Sequence, residues 1–135
     1  MWGRELKYGE TVNVKLLRLA KKEAGKWEGK VHEKWVVKGK TGQLENPLHH
    51  FPHQRIGEFL QEINFYTDIR ARELFDRNVK TYWWSIILYP KAKFIINYLV
   101  YQGFRDGLPG LVFALMMSFH SFLVRAKLWL LWKKQ

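Results

Sequence analysis

The chain has 135 residues, enough for one domain and not two. It carries 23 Lys+Arg against 12 Asp+Glu and no cysteine, which excludes a disulfide framework, a thiolate zinc site and a cysteine nucleophile. With 47% hydrophobic and 16% aromatic residues it is too apolar to be disordered by composition, and a net charge of +11 on such a chain points to polyanions or a membrane surface.

The first residues, Met1-Trp2-Gly3-Arg4-Glu5-Leu6-Lys7, contain no apolar h-region and no small-residue cleavage site. They read as the interior of a longer chain. Residues 11–49 then read as short strands. Val12, Val14, Leu16 and Leu17 lead into Arg18-Leu19, and Lys21 to Lys26 is a polar turn. A second strand is expected from Val31 to Val37, and Lys38-Gly39-Lys40-Thr41-Gly42 is a turn with two glycines. Gln43 to His50, broken by Asn46-Pro47, suits an edge strand. Three short strands cannot bury a core alone.

Residues 53–77 have helical periodicity. Ile56, Phe59, Leu60, Ile63, Tyr66, Ala71 and Leu74 share one face, and Glu58, Glu62, Asp68 and Arg72 the other. Phe65 and Ile69 lie on the polar side, either as scattered surface residues or as a second contact face. From Tyr82 onward the chain is aromatic and apolar. Pro90 suits the first turn of a new helix running to Tyr101, and Gly103 to Gly107 suits a tight turn. A last helix is expected from Pro109 to Trp132. Leu108 to Val124 holds no formal charge, slightly less than the ~20 residues a spanning helix needs. Ser118, Ser121 and Arg125 form one polar seam, and His120 with Lys127 another, so this helix reads as interfacial and packed on its predecessor, with a shallow span left open. Trp83, Trp84, Tyr89, Trp129 and Trp132 with Lys80, Lys91, Lys93, Lys133 and Lys134 make up an interfacial belt; the competing reading is the core of a soluble bundle.

Two polar groups carry possible chemistry. Arg18 could hold a diphosphate through its fork of donors, and Glu33 beside His32 could act as a general base; from the residues alone a cross-strand Arg18–Glu33 pair is the favoured reading, since such pairs are a common unit of sheet stabilisation. His49, His50 and His53 could supply one metal ligand or merely form a polar strand-to-helix junction. The run Gly103 to Gly110 follows a helix, not a strand, so it is not a nucleotide loop. The aspartates are Asp68, Asp76 and Asp106, so the chain has no D-x-D pair to hold a divalent metal on a nucleotide diphosphate.

The order R-L, turn, V-H-E, G-x-L-x-x-P-L-x-H, amphipathic helix, G-F-R-D-G-L-P-G and apolar tail resembles the C-terminal part of bacterial family 2 glycosyltransferases that build lipopolysaccharide core and other cell-envelope glycans. The resemblance runs from about Trp2 to the end, through motifs that are each short. It implies an α+β chain in which residues 1–53 are the β-rich remnant of a GT-A-like catalytic domain. Residues 54–80 are then an amphipathic helix, and 81–135 are membrane-associating helices at the cytoplasmic face of the inner membrane. It further implies Arg18 at the donor diphosphate, Glu33 with His32 as catalytic base or acceptor contact, and His50 near a divalent metal, Mg or Mn. A nucleotide sugar and a glycan or lipid-linked acceptor would be the substrates. Two departures stand out: the nucleotide-binding half is absent, so it would be a separate or preceding N-terminal half, and Ala20 stands where an aromatic is usual. This chain alone is expected to be inactive and to hold no cofactor. The alternative is a small basic peripheral membrane or nucleic-acid-binding protein without catalysis.

Overall fold

A computed structural model describes residues 1–2, 5–10, 14–17, 19–28, 34–44 and 55–134. Among these residues the chain is α-rich with one antiparallel pair of strands and an apolar C-terminal helix, an arrangement compatible with an α+β class.

Strands β1 (Gly25–Glu28) and β2 (Lys34–Val37) pair antiparallel, with Trp27 opposite Trp35 and Gly25 opposite Val37. The two indoles meet edge to face at 5.2 Å, a cross-strand aromatic pair that stabilises a ribbon otherwise marginal in water. Gly25 is required here, because a Cβ would fall 2.5 Å from the Trp35 indole nitrogen. The pairing differs from the sequence expectation. The partner of β2 begins inside the stretch read as a turn, and residues 14–17 form no strand. Trp27 has an aromatic partner only in this register, whereas the Val12–Leu17 run has the stronger alternation. Among the described elements no helix lies against either strand.

Helix α1 (Ile56–Asp76) buries Phe59, Ile63, Thr67, Ala71 and Leu74, a row at steps of three and four residues. Ile56, Leu60 and Tyr66, expected on the buried face, are exposed, and Thr67 takes the central buried position instead. Asn78 ends the helix in the left-handed region at φ 57°. Its N–H donates to Phe75 O at 2.8 Å and that of Val79 to Leu74 O at 2.9 Å, closing the last turn in a Schellman motif.

Helix α2 (Trp83–Ile95) continues directly into a π-helical turn, Ile96–Val100. Pro90 therefore lies inside a helix rather than at the start of one. An interior proline removes one backbone bond. Here the helix continues along its neighbour, and the Ser118 hydroxyl donates to the Pro90 carbonyl at 2.8 Å. A 3₁₀ turn, Gly103–Asp106, leads into helix α3 (Leu108–Lys133).

The run Gly103 to Gly110 is a packing motif. A Cβ at Gly110 would overlap the Gly103 carbonyl oxygen, and one at Gly103 would come within 2.7 Å of Asn97 O. Gly107 takes φ 68° as the chain enters α3.

Helix α3 lies between the other two. It packs on α1 and on α2, while α1 and α2 do not touch, so the helices form a single layer. Phe59 and Ile63 meet Phe113 and Met116, and Ala71 and Leu74 meet Val124 and Leu128; α1 thus runs parallel to α3, with α2 returning antiparallel.

Candidate membrane-facing site

The two polar seams of α3 have separate uses. On one flank Lys127 Nζ donates to Asn64 O (2.9 Å), Asn64 Oδ1 (2.8 Å) and Thr67 Oγ1 (2.9 Å) and pairs with Asp68 (2.9 Å). This ties α3 to α1 and explains why a threonine is buried in the middle of α1. On the other flank Ser118 binds Pro90, and the Arg125 guanidinium lies 3.9 Å over the Tyr89 ring, tying α3 to α2. A helix with two polar seams is what a helix between two neighbours requires.

The third face of α3 has no partner helix among the described residues. Leu108, Leu115, Phe119, Phe122 and Leu130 are all exposed, and their spacing places them on one stripe along the helix. Helix α2 has the reverse polarity of a soluble helix. Across α2 and its π-turn the buried residues are polar, Ser85 and Asn97, while Ile87, Leu88, Ile95, Ile96, Leu99 and Val100 are exposed. Exposed apolar side chains in this number on two packed helices are of the kind found at partner or membrane contacts. Among the described residues α3 is the one helix long and apolar enough to cross a membrane by length and composition; 22% of its most apolar window is buried.

Charge is distributed unevenly. Helix α1 carries Glu58, Glu62, Asp68, Glu73 and Asp76 against Arg70 and Arg72. From Lys80 onward come Lys91, Lys93, Arg105, Arg125, Lys127, Lys133 and Lys134 against the single acid Asp106, which is buried. On α1, Arg70 donates to Glu73 at 2.6 Å and holds its carboxyl below the usual carboxylate range, with Arg77 contributing more weakly. Phe65 and Ile69 border a shallow depression on the outer side of α1, together with Asp68, Arg72, Glu73 and Asp76.

The aromatic belt separates into two groups. Trp83 is 69% exposed, and Trp84 is exposed and stacked on Tyr82 at 5.7 Å. Trp129 is half-buried, with Lys133 5.5 Å over its ring. Trp132 is half-buried against the end of α1. Its ring meets Phe75 at 4.5 Å, its indole N–H donates to Val79 O at 3.0 Å, and Lys80 lies 3.2 Å over the ring. Lys91 is exposed, whereas Lys93 is partly buried and pairs with Glu10.

Arg18, His32, Glu33 and His50 lie outside the described residues, as do Glu45, His49 and His53. Among the described residues no group of three or more His, Asp or Glu could hold a metal ion. Asp68 is committed to Lys127, and Asp106 to backbone N–H groups of residues 7 and 8. Both carboxylates are thus taken up by contacts within the fold.

Sequence reasoning missed the roles of Asp106 and Asn97. Both are buried, at 3% and 1% exposure, and both hold the N-terminal segment. For Asn97, a polar residue alone in the apolar run 94–100 was the available signal. Comparison with protein-family models, curated proteins and solved structures gives no match to this chain.

Proposed function

We propose that α2 and α3 seat this chain on an anionic membrane surface, and that the chain is the acceptor-side part of a family 2 glycosyltransferase. The observation that carries the membrane half is the inverted polarity of α2 and its π-turn, with Ser85 and Asn97 inside and isoleucine, leucine and valine outside, beside the exposed leucine and phenylalanine stripe of α3. In water that arrangement leaves unburied surface worth roughly 25 cal/mol per Å². The basic residues around it match anionic headgroups, and the acidic α1 fits the side away from them. Exposed Lys91, halfway along α2 and its π-turn, favours a layer lying in the interface over a span.

The enzymatic half rests on the order of the sequence motifs. The parent reaction would transfer a sugar from a nucleotide sugar to a lipid-linked or envelope glycan acceptor at the cytoplasmic face of the inner membrane. Arg18 would serve the donor diphosphate, and Glu33 would take the acceptor proton.

Flotation with phosphatidylglycerol-containing vesicles tests the membrane half: the chain should float, and it should remain at the bottom of the gradient with neutral vesicles in high salt. In a reconstituted complete enzyme, Glu33→Gln should cut kcat by at least ~10²-fold with donor binding kept. Near-normal turnover would remove Glu33 from the chemistry.

A further inference from the structure

Residues 7–10 form a strap across the turn that joins α2 to α3. Four consecutive backbone N–H groups are spent there. Lys7 N–H donates to both carboxylate oxygens of Asp106, at 3.1 and 3.0 Å, and Tyr8 N–H to Oδ2 at 2.9 Å. Gly9 N–H donates to Tyr101 O at 3.1 Å, and Glu10 N–H to Asn97 Oδ1 at 3.1 Å. Asn97 completes its bonding by donating to Lys93 O at 3.1 Å. Around these bonds Glu10 pairs with Lys93, Arg105 lies 4.7 Å over the Tyr8 ring, and Gly9 sits against Phe113.

Asp106 is the sole acidic residue after Asp76. With the strap docked, its carboxylate is covered and satisfied by three donor contacts. With the strap released, a carboxylate and an amide oxygen would stand unpaired in the half of the molecule that is otherwise apolar and basic. A carboxylate there is costly to desolvate and is repelled by anionic headgroups.

We propose that strap docking and binding to an anionic lipid surface are thermodynamically linked. This rests on the membrane reading above. The docked form is the one that meets the bilayer, and by reciprocity the bilayer must hold the strap down by the same factor. The strap thereby couples lipid engagement of α2 and α3 to the segment before it, in which Met1, Trp2 and Leu6 pack against Phe59, Ile63, Phe113 and Met116.

The experiment uses the full chain and vesicles of phosphatidylcholine with phosphatidylglycerol. Amide hydrogen exchange at Lys7, Tyr8 and Glu10 is followed with and without saturating vesicles, and vesicle affinity is measured by co-sedimentation. Exchange at these amides should slow by ~10-fold on binding, within the ordinary range of site-to-site coupling. Gly9 takes φ 95°, so Gly9→Val strains the strap without altering charge, and its Cβ would lie at an ordinary contact distance of 3.5 Å from the Phe113 ring. It should speed exchange at the same amides, leave those of α1 and α3 unchanged, and weaken vesicle binding by ~5–10-fold. Unchanged exchange on saturating vesicles overturns the linkage, as does a loosened Gly9→Val strap with undiminished affinity. The wild-type measurement decides the matter even where the variant misfolds. Failure of the wild-type chain to bind vesicles at all overturns the membrane reading and the linkage with it, a result distinct from binding without coupling.

Discussion

Helices α1 and α2 flank the same partner and are built on opposite rules. Helix α1 puts Phe59, Ile63, Ala71 and Leu74 against α3 and charges outward, while α2 puts Ser85 against its neighbour and Ile87 and Leu88 outward. The contrast teaches that burial alone does not separate apolar from polar in this molecule. On one side of α3 the neighbouring helix turns charges outward, and on the other it turns apolar side chains outward.

Truncation on the two sides should break the symmetry most sharply. Leu128 is fully buried at the α1 side, and Leu128→Ala should cost about 2–5 kcal/mol in chemical denaturation. Leu99→Ala, on the exposed side of the π-turn, should stay within about 0.5 kcal/mol in the same assay. A comparable loss at both positions would mean that α2 has a protein partner in solution. Next in size is Gly110→Ala. Its Cβ has to push α3 away from the Gly103 carbonyl, at a cost of about 1–3 kcal/mol in the same denaturation measurement.

The stripe on α3 sharpens the comparison from the other direction. Replacing Phe119 and Phe122 with serine should leave the melting temperature nearly unchanged while lowering affinity for anionic vesicles by at least ~10-fold, measured by co-sedimentation. Burying one such side chain is worth about 1.5–3 kcal/mol.

The smallest effect belongs to the water-adapted side and depends on pH. Glu73 is held below its ordinary value by Arg70, so its pairing stabilises the fold above the unfolded carboxyl range near ~4.3. That contribution fades as pH falls through the lower folded value. Glu73→Gln should remove this portion of the acid dependence and shift stability slightly at pH 7; an unchanged acid limb in denaturation against pH would show that the pair contributes nothing.

Much of this contrast could be read in the residues. The period of Phe59, Ile63, Ala71 and Leu74 marked α1, and the uncharged run from Leu108 to Val124 marked α3. Its two polar seams required two neighbours, although the sequence offered only one of them. The identity of the second, α1, depended on Lys127 finding Thr67 and Asn64, a contact between residues 60 positions apart or more. Pro90 misled because local geometry favours a helix start, whereas packing along α3 carries the helix through. Trp132 looked like a belt residue, but its N–H is used by Val79 at the end of α1, a pairing that appears only once the helices are parallel. Of the candidate glycosyltransferase residues, Arg18, His32, Glu33 and His50 lie outside the described structure, and their roles rest on motif order.

Because α1 and α2 never meet, the helical part is a raft one helix thick, about 10–12 Å with side chains. Globular domains close their core with at least two stacked layers. Beyond the N-terminal segment, whose Met1, Trp2 and Leu6 pack on the Phe59 and Phe113 cluster, the described residues give this raft no second layer, and the surrounding medium becomes a structural component rather than a background. On the membrane reading, purification into plain buffer removes part of the fold's own packing. The melting temperature should then rise with bilayer mimetic in proportion to the area covered, so thermal stability would be a property of the protein and its lipid together.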